Sequence, residues 1–577
     1  MKKSWFPWII ASIFFIFFIL LVLNLNVDRS YWFDESFSFL QAKRSFMVPD
    51  GMGYTIASQV DVHPPGFYVV LHVWMKLFGE SAPMIRALSV LFGLGSLYII
   101  LRLTKLFYPD KYKAVFSWFA ILFIFASVNL HYFTEARMYA MGLFFCLLSF
   151  YYLITLGKNI WRVVGFVLST AVLLYIHYYT IFFILGELIF FYFFYYRRFD
   201  DEVKITTLGI WAITFLMMIP AVFFFFAQRA RVAGMWFQES NWYSMISTYY
   251  YSFFHSNVNY ISDINSVAGF VFLLVCFMFV FGYTFNVKNK DERKLALFLL
   301  GWYLLVPFLG MIVNLFFKVY HHRFFFFTGW ILIFLVARSI SYFVHKYQIT
   351  KRKWLYAITV SVLIMMVCAT VLFNYINYMG TQPIELRQVN EFLIEESGYH
   401  GDSYCNEYRI PVVHESPFSM LPSMFYLPKD CYVNYVYSEL NEKQFASAGG
   451  DVIPRGQVLR NRTELSQFSK YYYLEHDGSL RIKGFDYEVV FVTDGLNVTL
   501  ATRQESQSSS SLSYSREEYL MSLNGTCRMG SDCFINNSLK GCSKAACNWC
   551  CDTPEMLGGC TLLYCMTEED VRRLNLT

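Results

Sequence analysis

Apolar runs long enough to cross a bilayer recur through the first two thirds of this 577-residue chain, separated by short loops rich in lysine and arginine. A hydrocarbon layer of ~30 Å takes about 20 apolar residues as a helix. Backbone polar groups cannot stay unpaired there, so helices are the structure open to such runs. They read as spans at 6–25, 86–106, 112–130, 138–157, 161–177, 180–196, 206–227, 265–286, 295–316, 324–343 and 353–378, eleven in all. Composition agrees: 56% of residues are hydrophobic and 15% charged, with 62 Phe and 43 Tyr, whereas soluble chains carry roughly 25% charge. A cytosolic enzyme is excluded, as is a free nucleic-acid binder, so no nucleic acid is expected as a partner.

Loop charge sets the orientation. Lys2 and Lys3 precede the first run and no small-residue cleavage site follows it, which reads as a retained span with the N-terminus inside. His63 to Gly79 is the doubtful stretch, because it starts on Pro64-Pro65, contains Lys76 and has only seventeen residues. Laid on the outer surface, it leaves twenty of the thirty basic residues of the first 378 in short inner loops, among them Arg102, Lys111, Lys113, Arg197, Lys288 and Lys346. If it crossed instead, those clusters would face outward, against the positive-inside rule. The surface placement is therefore expected, with a multi-pass protein of the cell membrane whose C-terminal domains are exterior, or luminal in a eukaryote.

The charge balance changes near Gly380. Residues 1–378 carry a net +14 and residues 379–577 a net −9. All five N-x-S/T acceptor patterns (Asn461, Asn497, Asn524, Asn536, Asn575) and ten of thirteen Cys fall in this second part, which suits an oxidising exterior. Four segments are expected: a transmembrane domain at 1–378, an exterior α/β domain at 379–503, a Ser-rich linker at 504–515 and a Cys-rich module at 516–577. In the α/β domain, 384–397 has helical spacing and 487–493 and 497–502 are strand-like, and Cys405 and Cys431 could bridge it. Eight Cys crowd between Cys527 and Cys565 without any His, and disulfides explain them better than a closed zinc site.

The outer loops carry the polar chemistry. Asp34-Glu35 follows Tyr31-Trp32-Phe33 directly after the first span, a place where low dielectric raises a carboxylate's pKa toward general-base work. The plainer alternative makes Asp34 a helix N-cap. His63, before Pro64-Pro65, is either held at a helix's positive end where an anion fits, or an ordinary interfacial histidine. Glu135 and Arg137 in the stretch from His131 to Tyr139 are an ion pair satisfying itself, or a pair whose arginine holds a phosphate. Further loops add His177-Tyr178-Tyr179 and Lys318, His321, His322 and Arg323. A carboxylate base beside several cations at one membrane face implies transfer to or from a lipid phosphate. Glu187, deep in a span, is either part of the site or a protonated carboxyl bonded between helices. The phenylalanines at 222–226 and 324–327 read as lipid-facing or packing surface.

Taken in order, Asp34-Glu35, His63-Pro64-Pro65, Leu77-Phe78-Gly79, Arg86, Glu135-Ala136-Arg137-Met138-Tyr139, His177-Tyr178-Tyr179 and Arg323-Phe324 resemble the GT-C membrane glycosyltransferases. The nearest branch holds the dolichyl-phosphate-mannose protein mannosyltransferases and the aminoarabinose lipid A transferases, and the resemblance covers roughly residues 1–345. It implies an α-helical polytopic, GT-C-like fold of about eleven spans. The implied reaction is inverting transfer of a sugar from a polyprenyl-phosphate donor to an acceptor protein, lipid or glycan at the outer face, mannosyltransferase-like in type. By that resemblance Asp34, with Glu35, is catalytic, and His63, Glu135, Arg137, Tyr139, His177, His322 and Arg323 bind substrate. Lipid A transferases usually carry Lys where His63 stands, and the β-trefoil insert of the eukaryotic protein mannosyltransferases is absent. A transporter or flippase of a lipid-linked sugar, or an inactive scaffold, is the competing class. It would be expected to show inverted repeats and several intramembrane ionisable groups. No Gly-rich nucleotide loop is visible, and a divalent metal, Mg²⁺ or Mn²⁺, near Asp34, Glu35, Asp61 and His63 is the one cofactor the residues suggest.

Overall fold

A computed structural model describes residues 12–20, 33–43, 63–156, 159–194, 201–231, 242–250, 253, 264–317, 320–349, 386–399, 405, 407, 409–415, 417–438, 457–475, 481–493 and 496–504, with strands at 528–529, 549–557 and 560–566. The span expected at 353–378, most of the Cys-rich module, Asp61 and Lys318 lie outside the described residues. The chain divides into two compact units, one of residues 1–28 and 38–382, the other of residues 29–37 and 383–577.

The first unit is helical. Among the described residues four helices are long and apolar enough to cross a membrane: Ala82–Phe107, Lys204–Phe226, Lys290–Phe316 and His322–Lys346. Shorter apolar helices include Tyr139–Ile154 and Thr180–Phe194. Gly66–Phe78 has 13 residues, about 20 Å of helix, too little for the hydrocarbon layer. Three expected spans are not continuous α-helices. The stretch 112–130 breaks at Ala126 into Tyr112–Phe125 and Ser127–Tyr132, and the Asn129 amide donates to the Phe123 carbonyl that the break frees, at 2.7 Å. The stretch 161–177 divides at Val172, and 324–343 opens with a 3-10 segment, His322–Thr328, before the helix Gly329–Ile349. A polar side chain at Asn129 and a tightened turn at His322–Thr328 mark two of these places, whereas Val172 keeps helical dihedrals, and an apolar-run reading passes over such local features.

One group of buried polar side chains ties helices of this unit together. Ser149 Oγ donates to Glu187 Oε2 at 2.9 Å and lies 2.6 Å from Thr170 Oγ1, which joins three helices. The four phenylalanines Phe324–Phe327 are buried packing, whereas Phe223 and Phe226 lie exposed.

In the second unit, six strands form a mixed sheet: β1 Ile410–His414, β2 Tyr432–Tyr437, β3 Val458–Leu459, β4 Lys470–Glu475, β5 Phe485–Val492 and β6 Asn497–Arg503, in the order β3-β2-β1-β4-β6-β5. β1 runs parallel to both β2 and β4, and β6 pairs antiparallel with β4 and β5. The helix Pro417–Tyr426 makes the crossover that parallel strands β1 and β2 require. Successive side chains point to opposite faces, and both faces are covered. Val412, Tyr472 and Val498 pack with the helix Leu386–Glu396 through Val389 and Leu393, while Val413, Tyr471, Tyr473 and Phe485 form the other core. Cys405 and Cys431 form a disulfide at the edge of the first core. The helix and both strands expected in this region are present within two residues. Farther on, β7 Arg528–Met529, β8 Trp549–Leu557 and β9 Cys560–Met566 form an antiparallel sheet.

Candidate active site

The site grows from chain breaks at one end of the helices of the first unit. Pro65 is the N-cap of Gly66–Phe78 at φ −76°, the value its ring imposes, and its carbonyl accepts from Val69 N–H at 3.1 Å. Gly66 lies against the backbone carbonyl of Tyr175, where any Cβ would collide. That close approach sets His63, three residues before Gly66, beside His177, two residues after Tyr175. Their ring centroids lie 5.7 Å apart.

His177 ends the short helix Leu173–Ile176, and its carbonyl accepts from Thr180 Oγ1 at 2.7 Å and from Thr180 N–H at 3.1 Å. Its Nδ1 accepts from Tyr179 N–H at 3.2 Å. That bond leaves Nε2 to carry the proton, and Nε2 is buried with no hydrogen-bond partner among the described residues. A buried donor without an acceptor costs about 1–3 kcal/mol, and His63, Arg137 and Arg323 all lie near enough to act electrostatically on this ring.

Arg137 and Tyr139 come from the turn between Ser127–Tyr132 and Tyr139–Ile154. Ser89 Oγ donates to the Glu135 carbonyl at 2.6 Å, and Arg137 N–H donates to the same carbonyl at 2.8 Å, which pins the turn. The Glu135 carboxylate, fully buried, stands 3.5 Å from His131 Nε2. The buried Arg137 guanidinium donates through Nη1 to Ser38 Oγ at 3.1 Å. The Tyr139 ring lies 4.4 Å from that of Tyr132, tilted by 51°, and 6.0 Å from His177.

Arg323 and His322 lie on the 3-10 segment, capped by His321, whose Nδ1 accepts from Arg323 N–H at 3.3 Å. Burial first, then the neighbouring His322 and Arg323, holds His321 well below the usual histidine range, so it stays neutral. The His321 and His322 rings are 4.2 Å apart, and the Arg323 guanidinium carbon lies 5.8 Å from the Phe324 ring.

Asp34 and Glu35 occupy the first turn of the helix Phe33–Lys43 and are both buried. Asp34 thus stands inside the helix rather than at its N-cap. Ser38, the acceptor for Arg137, follows one turn later on that helix. The structure therefore gathers His63, Arg137, Tyr139, His177 and Arg323, with Glu135 bonded beside them through His131. No group of three or more His, Cys, Asp or Glu able to hold a metal ion occurs among the described residues.

Two residues were given no role at the site by the sequence, although Phe324 was named beside Arg323. The Phe324 ring stands 6.2 Å from His63, 5.1 Å from His177, 5.0 Å from Tyr179 and 5.6 Å from His321, an aromatic plate among the candidate residues. Ser38 was the other; its place four residues after Asp34, on one helical face, is the signal that could have found it.

No protein-family model and no curated protein matches the chain. Among solved structures, ArnT from Cupriavidus metallidurans in the apo state is similar over 85% of this chain and 97% of its own, at 8% identity and a TM-score of 0.54. ArnT bound to undecaprenyl phosphate is similar over 87% and 98%, at 10% identity and a TM-score of 0.50. The apo oligosaccharyltransferase of Archaeoglobus fulgidus covers 74% of this chain and 65% of its own, at 10% identity and a TM-score of 0.46. At such identities the likeness to ArnT is one of fold. This membrane protein has the fold of a GT-C membrane glycosyltransferase, the fold its motifs led us to expect.

Proposed function

We propose that the protein transfers a sugar, with inversion, from a polyprenyl monophosphate to the hydroxyl of a protein, lipid or glycan acceptor at the outer membrane face. The observation that carries this reading is the buried His177 Nε2–H, a donor without an acceptor among the described residues, set among His63, Arg137 and Arg323. That arrangement suits an anion. The likeness to ArnT bound to undecaprenyl phosphate supports a lipid phosphate as that anion.

In this reading Asp34 takes the proton of the acceptor hydroxyl as its oxygen attacks the anomeric carbon. The bond from that carbon to phosphate breaks, and polyprenyl phosphate leaves with the electron pair. Arg137, Arg323, His63 and His177 stabilise the charge that develops on the leaving phosphate. Glu35, Glu135, Tyr139 and His322 complete the substrate-facing set. Eleven spans with the N-terminus inside would put these loops and the acidic C-terminal domains outside, where the domains would select or locate the acceptor.

The test is transfer from a labelled lipid-linked monosaccharide by the purified full-length protein, with Asp34→Asn beside wild type. Loss of a general base lowers the rate by about 10²–10⁴-fold. Full activity of Asp34→Asn would remove Asp34 from the mechanism. The same assay after chelation decides the metal: an unchanged rate assigns charge neutralisation to the cationic side chains alone.

A further inference from the structure

A cavity of about 680 Å³ lies at the opposite end of the same helices, between the loop that precedes Tyr112–Phe125, the loop that precedes Lys290–Phe317, and the second half of Gly329–Ile349. Arg338 and Lys346 line it nine and seventeen residues beyond Gly329, about 14 and 26 Å along the helix. It is therefore far from Arg323. Lys111, Lys113, Lys288, Arg338 and Lys346 line it against only two carboxylates, Asp110 and Glu292. The basic loops expected inside have come together here around one concavity.

A wish to keep positive charge on the inner face explains lysines on loops, but not a buried arginine. Arg338 is fully buried, paired through Nε and Nη2 with Glu292, and its guanidinium lies 4.9 Å from the Tyr108 ring and 5.0 Å from the Tyr283 ring. Tyr283 donates to the same Glu292 oxygen at 2.7 Å. These partners fix the guanidinium plane, yet its Nη1 remains buried without a hydrogen-bond partner among the described residues. The walls are equally fixed: Asn289 caps the helix at Lys290 by accepting from Asp291 and Glu292 N–H, and Lys346 donates to Asn286 Oδ1 at 3.0 Å. Val287, Trp118 and Val344 supply apolar wall between the charges.

We propose that this cavity binds a phosphate-bearing anion, either the headgroup of an anionic phospholipid or free phosphate, with the immobile Arg338 Nη1 as its innermost donor and Lys111 and Lys288 closing over it. A preformed arginine donor with an excess of cations at the end of a helical bundle matches the physics of anionic headgroup sites.

The experiment compares the full-length protein with the Lys111→Gln/Lys288→Gln variant, whose substitutions are at exposed positions. Native mass spectrometry in mixed detergent micelles reads retention of phosphatidylglycerol against phosphatidylcholine, and a thermal shift reads protection by inorganic phosphate against chloride. At about a factor of five for each lysine, the variant should hold phosphatidylglycerol about 25-fold more weakly than wild type. Retention of phosphatidylglycerol that millimolar phosphate does not displace assigns the site to a lipid headgroup. Protection by inorganic phosphate, lost in the variant, assigns it to the free anion. Equal retention of both lipids with no phosphate protection, or a variant indistinguishable from wild type, overturns the proposal.

Discussion

Gly66→Ala tests how the fold builds the site, with one methyl group as the probe. An ideal Cβ at Gly66 falls on the Tyr175 carbonyl, with the carbonyl carbon at 2.9 Å and the oxygen closer still. Backbone cannot swing aside as a flexible side chain does, so either Gly66–Phe78 or the segment ending at His177 must shift. Overpacking of this kind costs about 1–3 kcal/mol. His63 and His177 sit beside these two segments, so a shift of either changes their spacing, and misplacing reactive groups by ~1 Å costs about 10²-fold in rate. The variant should melt lower in detergent and transfer sugar about 10- to 100-fold more slowly. The control is Gly79→Ala at the other end of that helix. Gly79 has φ +95° with ψ 173° and nothing within 4 Å of its added Cβ, so alanine there brings about 1–3 kcal/mol of backbone strain without moving His63. A normal rate in Gly66→Ala, or an equal rate loss in Gly79→Ala, would refute the reasoning.

His414 is buried and its pKa is pushed down to about 4 by desolvation, against the raising effect of its hydrogen bond with Asn434. The unfolded chain therefore binds a proton that the folded sheet does not between pH ~6.5 and ~4, and stability falls by about 1.4 kcal/mol per pH unit over that window. The protection factors of β1 and β2 peptides, with the intrinsic exchange rate at each pH divided out, should fall about tenfold per pH unit as pH drops through it, and His414→Gln should flatten that slope. Glu187→Gln preserves an acceptor for Ser149 and should leave the melting temperature near wild type, whereas Glu187→Ala opens a void costing about 2–4 kcal/mol; a Gln variant as unstable as Ala would mean that the carboxyl does more than bridge helices. Deleting residues 516–577 should leave transfer to a small soluble acceptor unchanged while weakening use of a macromolecular one, and loss of small-acceptor transfer in a folded, inserted protein would give the tail a part in the chemistry.

Helix and strand positions were legible where hydrophobic pattern alone decides them. The apolar runs at 265–286 and 295–316 appear as Ile264–Asn286 and Lys290–Phe317, and the strand-like 497–502 as Asn497–Arg503. Period and length are local properties, and burial of an apolar face rewards them wherever the segment ends up. The acid, His and Arg residues stood out in the sequence as candidates, since polar groups next to long apolar runs are costly. What stayed hidden depends on non-local contact. The break at Ala126 needs the Asn129 amide to reach the Phe123 carbonyl. The role of Gly66 exists only because Tyr175 backbone lies against it. Strands β1, β2 and β4 are buried on both faces, so they show no clean alternation, and Phe324 reads as one more residue in an aromatic run. The donors at His177 Nε2 and Arg338 Nη1, both buried without a hydrogen-bond partner among the described residues, are products of packing: a sequence names the side chain, but only the tertiary structure decides which of its atoms is left over once the others are paired.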